Sequence, residues 1–381
     1  MKFDCPPEQD IPSFRSNSAP FSLATDEAVF FLKDPGFGRM FTDNMAVIHW
    51  KEGLGWHDAR IMPRAPFSID PTCAVLHYAQ EIFEGMKAYR GQDGQINLFR
   101  PWENAKRFNR SAARMAMPEL PEPLFIDAVK RLVRADHRWI PGLPNSLYLR
   151  PFMFASEAFL GVRPAREYTF CVVACPAGAY FSGSNDTISV WAEPELSRAG
   201  PGGTGAAKCG GNYAASLAAH AKAKAQGCDQ VLFLDGSPDG CVEELGGMNL
   251  FFVMDDGSLV TPALGTILPG ITRQSIIDLA ILQGTLVVER RFALSECLAA
   301  IASDQVREMF ACGTAAVITG VGRIKGHHGT AQIGDGSEGA MTRSLRNALL
   351  AIQFGQMAAP FKWLLPVLLE EDEPRLMAAA P

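Results

Sequence analysis

Lys208 has the clearest chemical setting, in Pro201-Gly202-Gly203-Thr204-Gly205-Ala206-Ala207-Lys208-Cys209-Gly210-Gly211-Asn212-Tyr213. Glycines on both sides imply that the backbone comes close to something. A Walker-type phosphate loop needs Gly just before the lysine and Ser or Thr after it; here those positions hold Ala207 and Cys209. The hydroxyl that would ligate Mg²⁺ is therefore missing. Ala206, Ala207 and Cys209 form an apolar neighbourhood that disfavours a charged ammonium. A neutral lysine amine is a nucleophile suited to Schiff-base chemistry. The plain alternative, a solvated lysine in a flexible loop, fits these neighbours poorly.

Three further stretches could carry chemistry. Glu243 and Glu244 are adjacent acids in an apolar surround. On a strand they point to opposite faces, so one can be solvated while the other turns inward and needs a cationic partner. A pair of surface acids before a turn is the equally open alternative. Leu268-Pro269-Gly270-Ile271-Thr272 places Pro-Gly before a predicted helix, exposing unpaired N–H groups suited to phosphate. Ordinary capping explains that stretch as well. Gly313-Thr314-Ala315 offers N–H groups and a hydroxyl in a turn.

The elements that must position these groups mix strands and helices without regular βαβ repetition, which predicts an α+β fold in two domains. Residues 1–43 read as loop and short extended pieces, 45–50 and 57–62 as strands, and Leu76–Lys87 as one amphipathic segment. Helical periodicity covers Glu103–Met115 and Pro123–His137, and strands cover Ser146–Phe154 and Tyr168–Cys175. Later come a strand at 188–192, a helix at 212–226, a strand at 230–234, a helix at 271–283, a strand at 285–291 and a helix at 293–302. The Pro-, Gly- and Ser-rich stretch around 177–187 predicts an interdomain loop between a domain of residues 1–176 and one of residues 188–381.

With 381 residues, 48% hydrophobic and 20% charged, the chain can bury a core without staples. A net charge of −6 supplies no field for nucleic acid or an anionic membrane surface. The longest apolar runs fall short of the ~20 residues of a membrane span. Nine cysteines contain no CxxC pair, and Cys73 with His77 lacks the second pair of a zinc site, so no metal is expected. The N-terminal segment lacks the apolar core of a signal peptide, and a cytoplasmic location is expected.

Seven blocks now align with one family: LHYAQEIFEGMKAYRG (76–91), RFNRSAARM (107–115), SLYLRPF (146–152), PGGTGAAKCGGNYAAS (201–216), EELGGMNLFFV (243–253), LPGITRQS (268–275) and GTAAVITGV (313–321). The chain resembles the branched-chain amino acid aminotransferases, fold type IV enzymes dependent on pyridoxal 5′-phosphate (PLP), from about residue 44 to about 366. The resemblance implies two α/β domains with the cofactor between them, homodimers, and amino acids and 2-oxo acids as small-molecule partners. By the same resemblance Lys208 links to PLP and later moves a proton, and Glu244 rather than Glu243 contacts the pyridine nitrogen. Arg107, Ile271, Thr272 and Thr314 hold the phosphate, Leu268 packs on the ring face, and Tyr213 bonds the phenolic oxygen. For the substrate it implies Phe83, Tyr148 and Arg150, Tyr78 from a partner subunit, and Thr314 with Ala315 at the α-carboxylate. Where mammalian members carry a redox CxxC, this sequence has Ala316-Val317-Ile318-Thr319. Rival expectations are an enzyme of the same fold acting on D-amino acids, (R)-amines or aminodeoxychorismate, and a nucleotide-binding protein using the Gly-rich loop.

Overall fold

The structure is a computed structural model that describes residues 11–23, 25–178, 186–327 and 329–369, with backbone alone at Thr25, Asp26 and Val29. Most of the interdomain loop expected over 177–187, and the tail from Glu370, lie outside the described residues. The chain divides into two units: described residues of Met1–Tyr180 with those of Ala351–Pro381, and those of Phe181–Leu350.

The first unit contains β1 (Arg15–Ser16), α1 (Thr25–Lys33), β2 (Asn44–Lys51), β3 (Gly55–Pro63), α2 (Ala74–Tyr78), β4 (Glu81–Phe83), β5 (Met86–Arg90), β6 (Ile96–Phe99), α3 (Pro101–Arg114), α4 (Glu122–Ala135), β7 (Ser146–Ala155) and β8 (Glu167–Ala177). Its sheet runs β1-β3-β2-β8-β7-β5-β6, with β4 also on β7. Gly53 and Gly55, at φ of +80° and +76°, turn β2 into β3. Helix α3 buries the stripe Asn104, Arg107, Phe108 and Ser111, spaced for one helical face. Phe108 meets Phe125 of α4 and Phe170 of β8 at ring distances of 5.4 and 5.5 Å, which seats the helix on the sheet.

Three sequence expectations need correction here. Residues 1–43 were expected without a helix, but 25–33 form α1; its periodicity is blurred because Phe30 stands 83% exposed. Leu76–Lys87 is not one amphipathic segment. Its helix stops at Ala79, left-handed at φ 48°, and the rest pairs with β7 through Phe83↔Phe152 and Met86↔Leu149. Strand pairing outweighs local periodicity there. The C-terminal stretch does not stay with residues 188–350. Leu364–Pro366 adds an edge strand to β6, with Leu365 opposite Leu98, and Arg134 Nε donates to the Leu368 carbonyl at 2.6 Å. Pro366 is tolerated because an edge strand has no outer ladder to feed.

The second unit contains β9 (Thr187–Glu193), α5 (Gly210–Ala225), β10 (Gln230–Leu234), β11 (Val242–Leu245), β12 (Asn249–Met254), β13 (Leu259–Pro262), α6 (Ile271–Leu282), β14 (Val287–Arg290), α7 (Leu294–Ala302), β15 (Val306–Gly313), β16 (Val317–Gly326) and β17 (Gly329–Gln332). The division between units falls within α8 (Ala340–Gln353). The sheet order is β11-β10-β9-β16-β15-β12-β13-β14, with β17 on β16. Parallel pairs (β9 with β10 and β16, β13 with β14) sit among antiparallel ones, so the sheet is mixed and the α+β class is observed. One continuous core beneath it includes Val190, Leu232, Leu250, Phe252, Phe292 and Val306. Two short reversals bring the chemistry-bearing stretches onto this frame: the Gly246-Gly247 turn between β11 and β12, and the 314–316 tip between β15 and β16.

Candidate active site

Lys208 stands at the end of the Gly-rich loop, just before α5. The loop is fixed by Asn212, whose Nδ2 donates to the carbonyls of Thr204 (2.9 Å) and Ala207 (2.8 Å). Thr204 Oγ1 in turn donates to Asn212 Oδ1 at 2.7 Å. Gly205 is required for space: a Cβ there would lie 2.0 Å from the Thr266 carbonyl oxygen. With the loop held and Tyr213 in the first turn of α5, Lys208 Nζ donates to Tyr213 Oη at 2.7 Å. Lys208 is half-buried; Ala207 and Cys209 are buried, but Ala206 is exposed, so the apolar neighbourhood is narrower than expected. A Cβ on Gly247 would come 3.2 Å from Tyr213 Cε1, so the β11–β12 turn packs closely on that ring.

Both acids of the pair on β11 are buried, Glu243 at 4% and Glu244 at 2% exposure, which corrects the expectation that one would be solvated. β11 lies at the sheet edge, and Arg198 and Thr266 cover it. Glu244 Oε1 accepts from the Leu268 N–H at 2.5 Å, while Oε2 lies 3.3 Å from Arg198 Nε in an ion pair outside hydrogen-bond geometry. Burial pushes Glu244 up to about 7, against the pull of Arg198, the Leu268 N–H and Lys208. Glu243 Oε1 accepts from Thr266 Oγ1, its Oε2 has no hydrogen-bond partner, and burial again raises its pKa. Arg198 Nη2 donates to the Thr266 carbonyl at 2.6 Å and so joins the two acids through one cation.

Ile271 and Thr272 open α6, whose N-cap is Gly270 with no capping side-chain hydrogen bond. The N–H groups of this first turn have no partner within the helix, as at any helix N-terminus, and suit an anion. Thr314 and Ala315 form the tip of the β15–β16 hairpin, closed by Gly313↔Val317.

The first unit holds the other expected residues. Arg107 is buried and forks onto Glu84, with Nε to Oε1 and Nη2 to Oε2 both at 2.8 Å. Asn104 Nδ2 and the Gly85 N–H also donate to Glu84, at 2.7 and 3.2 Å. Arg150 Nη2 donates to Tyr148 Oη at 3.0 Å, and its guanidinium lies over the rings of Phe83 (4.7 Å) and Tyr148 (5.4 Å). Gly85 makes room for this group, since a Cβ there would sit 2.3 Å from Tyr148 Oη. Tyr78 is partly exposed, and its hydroxyl donates to the Leu160 carbonyl. Cys73 and His77 are occupied separately, with the carbonyls of Ala155 and Pro71, and no metal-holding cluster exists among the described residues. No helix among them is long and apolar enough to cross a membrane.

Sequence reading missed Arg198, Thr266, Glu84, Asn104, Asn212 and Asn249. Glu84, Asn212 and Asn249 lay inside the aligned blocks and carried a usable signal; Arg198 and Thr266 lay in none.

The second unit thus carries an amine paired with a phenol, a desolvated carboxylate that feels the lysine's charge, and two turns whose N–H groups suit an anion. Comparison with known proteins agrees. The amino-transferase class IV family model matches residues 81–324. A branched-chain-amino-acid aminotransferase of Mycobacterium tuberculosis is 51% identical over 341 residues, covering 87% of this chain and 92% of that one. The Escherichia coli branched-chain amino acid aminotransferase crystal structure superposes with a TM-score of 0.71 at 29% identity, covering 85% of this chain and all of that one. The Thermobaculum terrenum enzyme of the same name, solved in its PLP form, gives 0.69 at 26% identity over 86% of this chain and all of that one. On a family match over more than half its length and on relatives this similar, the chain belongs to the class IV aminotransferases, among the branched-chain-amino-acid aminotransferases.

Proposed function

We propose that the protein reversibly transfers the amino group of L-leucine, L-isoleucine or L-valine to 2-oxoglutarate in two half-reactions, with PLP as cofactor. The observation that carries this is the pairing of Lys208 with Tyr213 in the same unit as the buried, incompletely satisfied Glu244. These residues fit the cofactor: a carboxylate with so few donors gains most from a cationic N–H, and the first turn of α6 suits a phosphate dianion.

When bound, PLP supplies the aldehyde that carries the amino group and the ring that accepts electrons from the substrate Cα. Lys208 would hold the cofactor through its amine and would move the proton at the substrate Cα. Tyr213 keeps a proton partner 2.7 Å from that amine and would bond the cofactor's phenolic oxygen. Glu244 would hold the proton on the ring nitrogen, Leu268 would pack on the ring, and Ile271, Thr272 and Thr314 would bind the phosphate, a role the family resemblance extends to Arg107. Phe83 and Tyr148 give the substrate side chain apolar walls, Arg150 gives an acidic side chain its countercharge, and Thr314 with Ala315 hold the α-carboxylate.

The protein works as a homodimer in which Tyr78 serves the partner's site. Support comes from exposed apolar side chains on the segments that Tyr78 joins by bonding the Leu160 carbonyl: Leu76, Leu160 and Val162, the last 87% exposed. The eight cysteines among the described residues are buried and free of disulfides, which suits the reducing cytoplasm.

The test is the visible absorption of the purified protein before and after L-leucine. A yellow band that collapses with L-leucine and returns with 2-oxoglutarate is expected. A band that ignores L-leucine but responds to D-alanine would move the substrate to the D-amino acid group, and no band after PLP addition would overturn the cofactor.

A further inference from the structure

Across the Gly246-Gly247 turn, one step back on each arm, stand Glu244 on β11 and Asn249 on β12. Both reach the same residue. Glu244 Oε1 accepts from the Leu268 N–H at 2.5 Å, and Asn249 Nδ2 donates to the Leu268 carbonyl at 3.0 Å. The two polar backbone groups of Leu268 are thus gripped by side chains from the two arms of one hairpin. Asn249 and Leu268 are both buried, so neither bond is diluted by water.

The other end of the Asn249 amide meets the start of α6. A Cβ on Gly270 would fall 2.0 Å from Asn249 Oδ1 and 3.2 Å from its Cγ, with Arg273 Cβ at 3.3 Å. Gly270 has φ −69°, which any residue adopts, so glycine is needed there for room and not for conformation. The amide fills the place where the N-cap side chain would be. Arg273 also holds the first turn, donating to the Pro262 carbonyl (3.0 Å) and to Glu289 (2.6 Å).

We propose that Asn249 is a positioning residue that clamps Leu268 and the N-terminus of α6 into one geometry, so that the ring-facing side chain and the phosphate-facing N–H groups are set together. This assignment rests on the phosphate-binding role proposed above for Ile271 and Thr272. Asn249 touches neither cofactor nor substrate; it acts through Leu268 and Gly270.

The experiment titrates cofactor-stripped enzyme with PLP and, separately, with pyridoxal, which lacks the phosphate, following intrinsic fluorescence. For N249A the affinity for PLP falls about tenfold, the scale of one buried hydrogen bond, while that for pyridoxal changes about twofold. G270A, which drives a methyl into the amide, gives the same selective loss from the opposite partner. The double variant N249A/G270A is less impaired than the two losses combined predict, because the new methyl occupies the vacated space. A general loss of structure lowers both affinities equally and gives no such suppression. If N249A does not fold, the PLP-to-pyridoxal ratio of G270A decides alone. Wild-type ratios in the variants, or additive losses, would overturn the role of Asn249. A wild-type enzyme that binds PLP no better than pyridoxal would instead overturn the phosphate assignment beneath it.

Discussion

Glu84 in the first unit and Glu244 in the second are both carboxylates withdrawn from water and set beside an arginine, yet their partners differ. Glu84 receives a two-pronged fork from Arg107, the Asn104 amide and the Gly85 N–H. Glu244 receives one backbone N–H, and its arginine stands 3.3 Å away outside hydrogen-bond geometry. Its neighbour Glu243 adds a second buried acid with an oxygen left without a partner. A saturated buried ion pair specifies structure, because it can be broken only at large cost. An under-satisfied one in the unit that carries Lys208 has more to gain from a further cationic partner. The contrast explains why burial pushes Glu244 up to about 7.

Variants at the two centres should therefore separate stability from activity. The largest effect is expected for K208A, which removes nucleophile and base together. Turnover with L-leucine and 2-oxoglutarate falls by ~10³-fold or more, with the unfolding midpoint nearly unchanged. E84A acts first on stability, and through Arg107 on cofactor binding as well. It strands the buried Arg107 charge and costs about 3–5 kcal/mol in denaturant unfolding of the stripped enzyme. Equal stability losses for E84A and E244Q would break the distinction between the centres.

A smaller effect sharpens it. The folded pKa of Glu244, about 7, lies above the ordinary carboxylate value of 4.5, so the unfolded chain loses that proton first as pH rises. The contribution is fully present below the unfolded pKa and is lost as pH passes through about 7, by roughly 3 kcal/mol in all. Stripped E244Q, which cannot ionise there, should therefore unfold at higher temperature than stripped wild type at pH 8. The difference should shrink toward pH 5. Thermal scans across that range check the sign.

The parts legible in the sequence were those whose chemistry is local. Lys208 and Tyr213 lie five residues apart across a loop-to-helix junction, and Pro269-Gly270 before an apolar helix marks an uncapped N-terminus. The helices α3, α4 and α6 announced themselves by their period. What escaped notice depends on contacts distant in sequence. Arg198 reaches Glu244 across 46 residues of chain, from a loop without periodicity. The fate of Glu243 depended on Thr266 covering an edge strand, which alternation along β11 cannot reveal. Likewise Leu364–Pro366 joins a sheet whose other strands end some two hundred residues earlier, and nothing local to that tripeptide says so.

The most direct measurement is the rise in unfolding temperature that PLP gives to stripped enzyme at pH 8, compared between wild type and E244Q. If Glu244 awaits a cationic ring nitrogen, wild type should gain several degrees more than the variant, because only an ionised carboxylate is relieved by that proton. An equal or larger gain in E244Q would show that the cofactor does not complete this carboxylate, and would contradict the assignment of the under-satisfied centre as the active site.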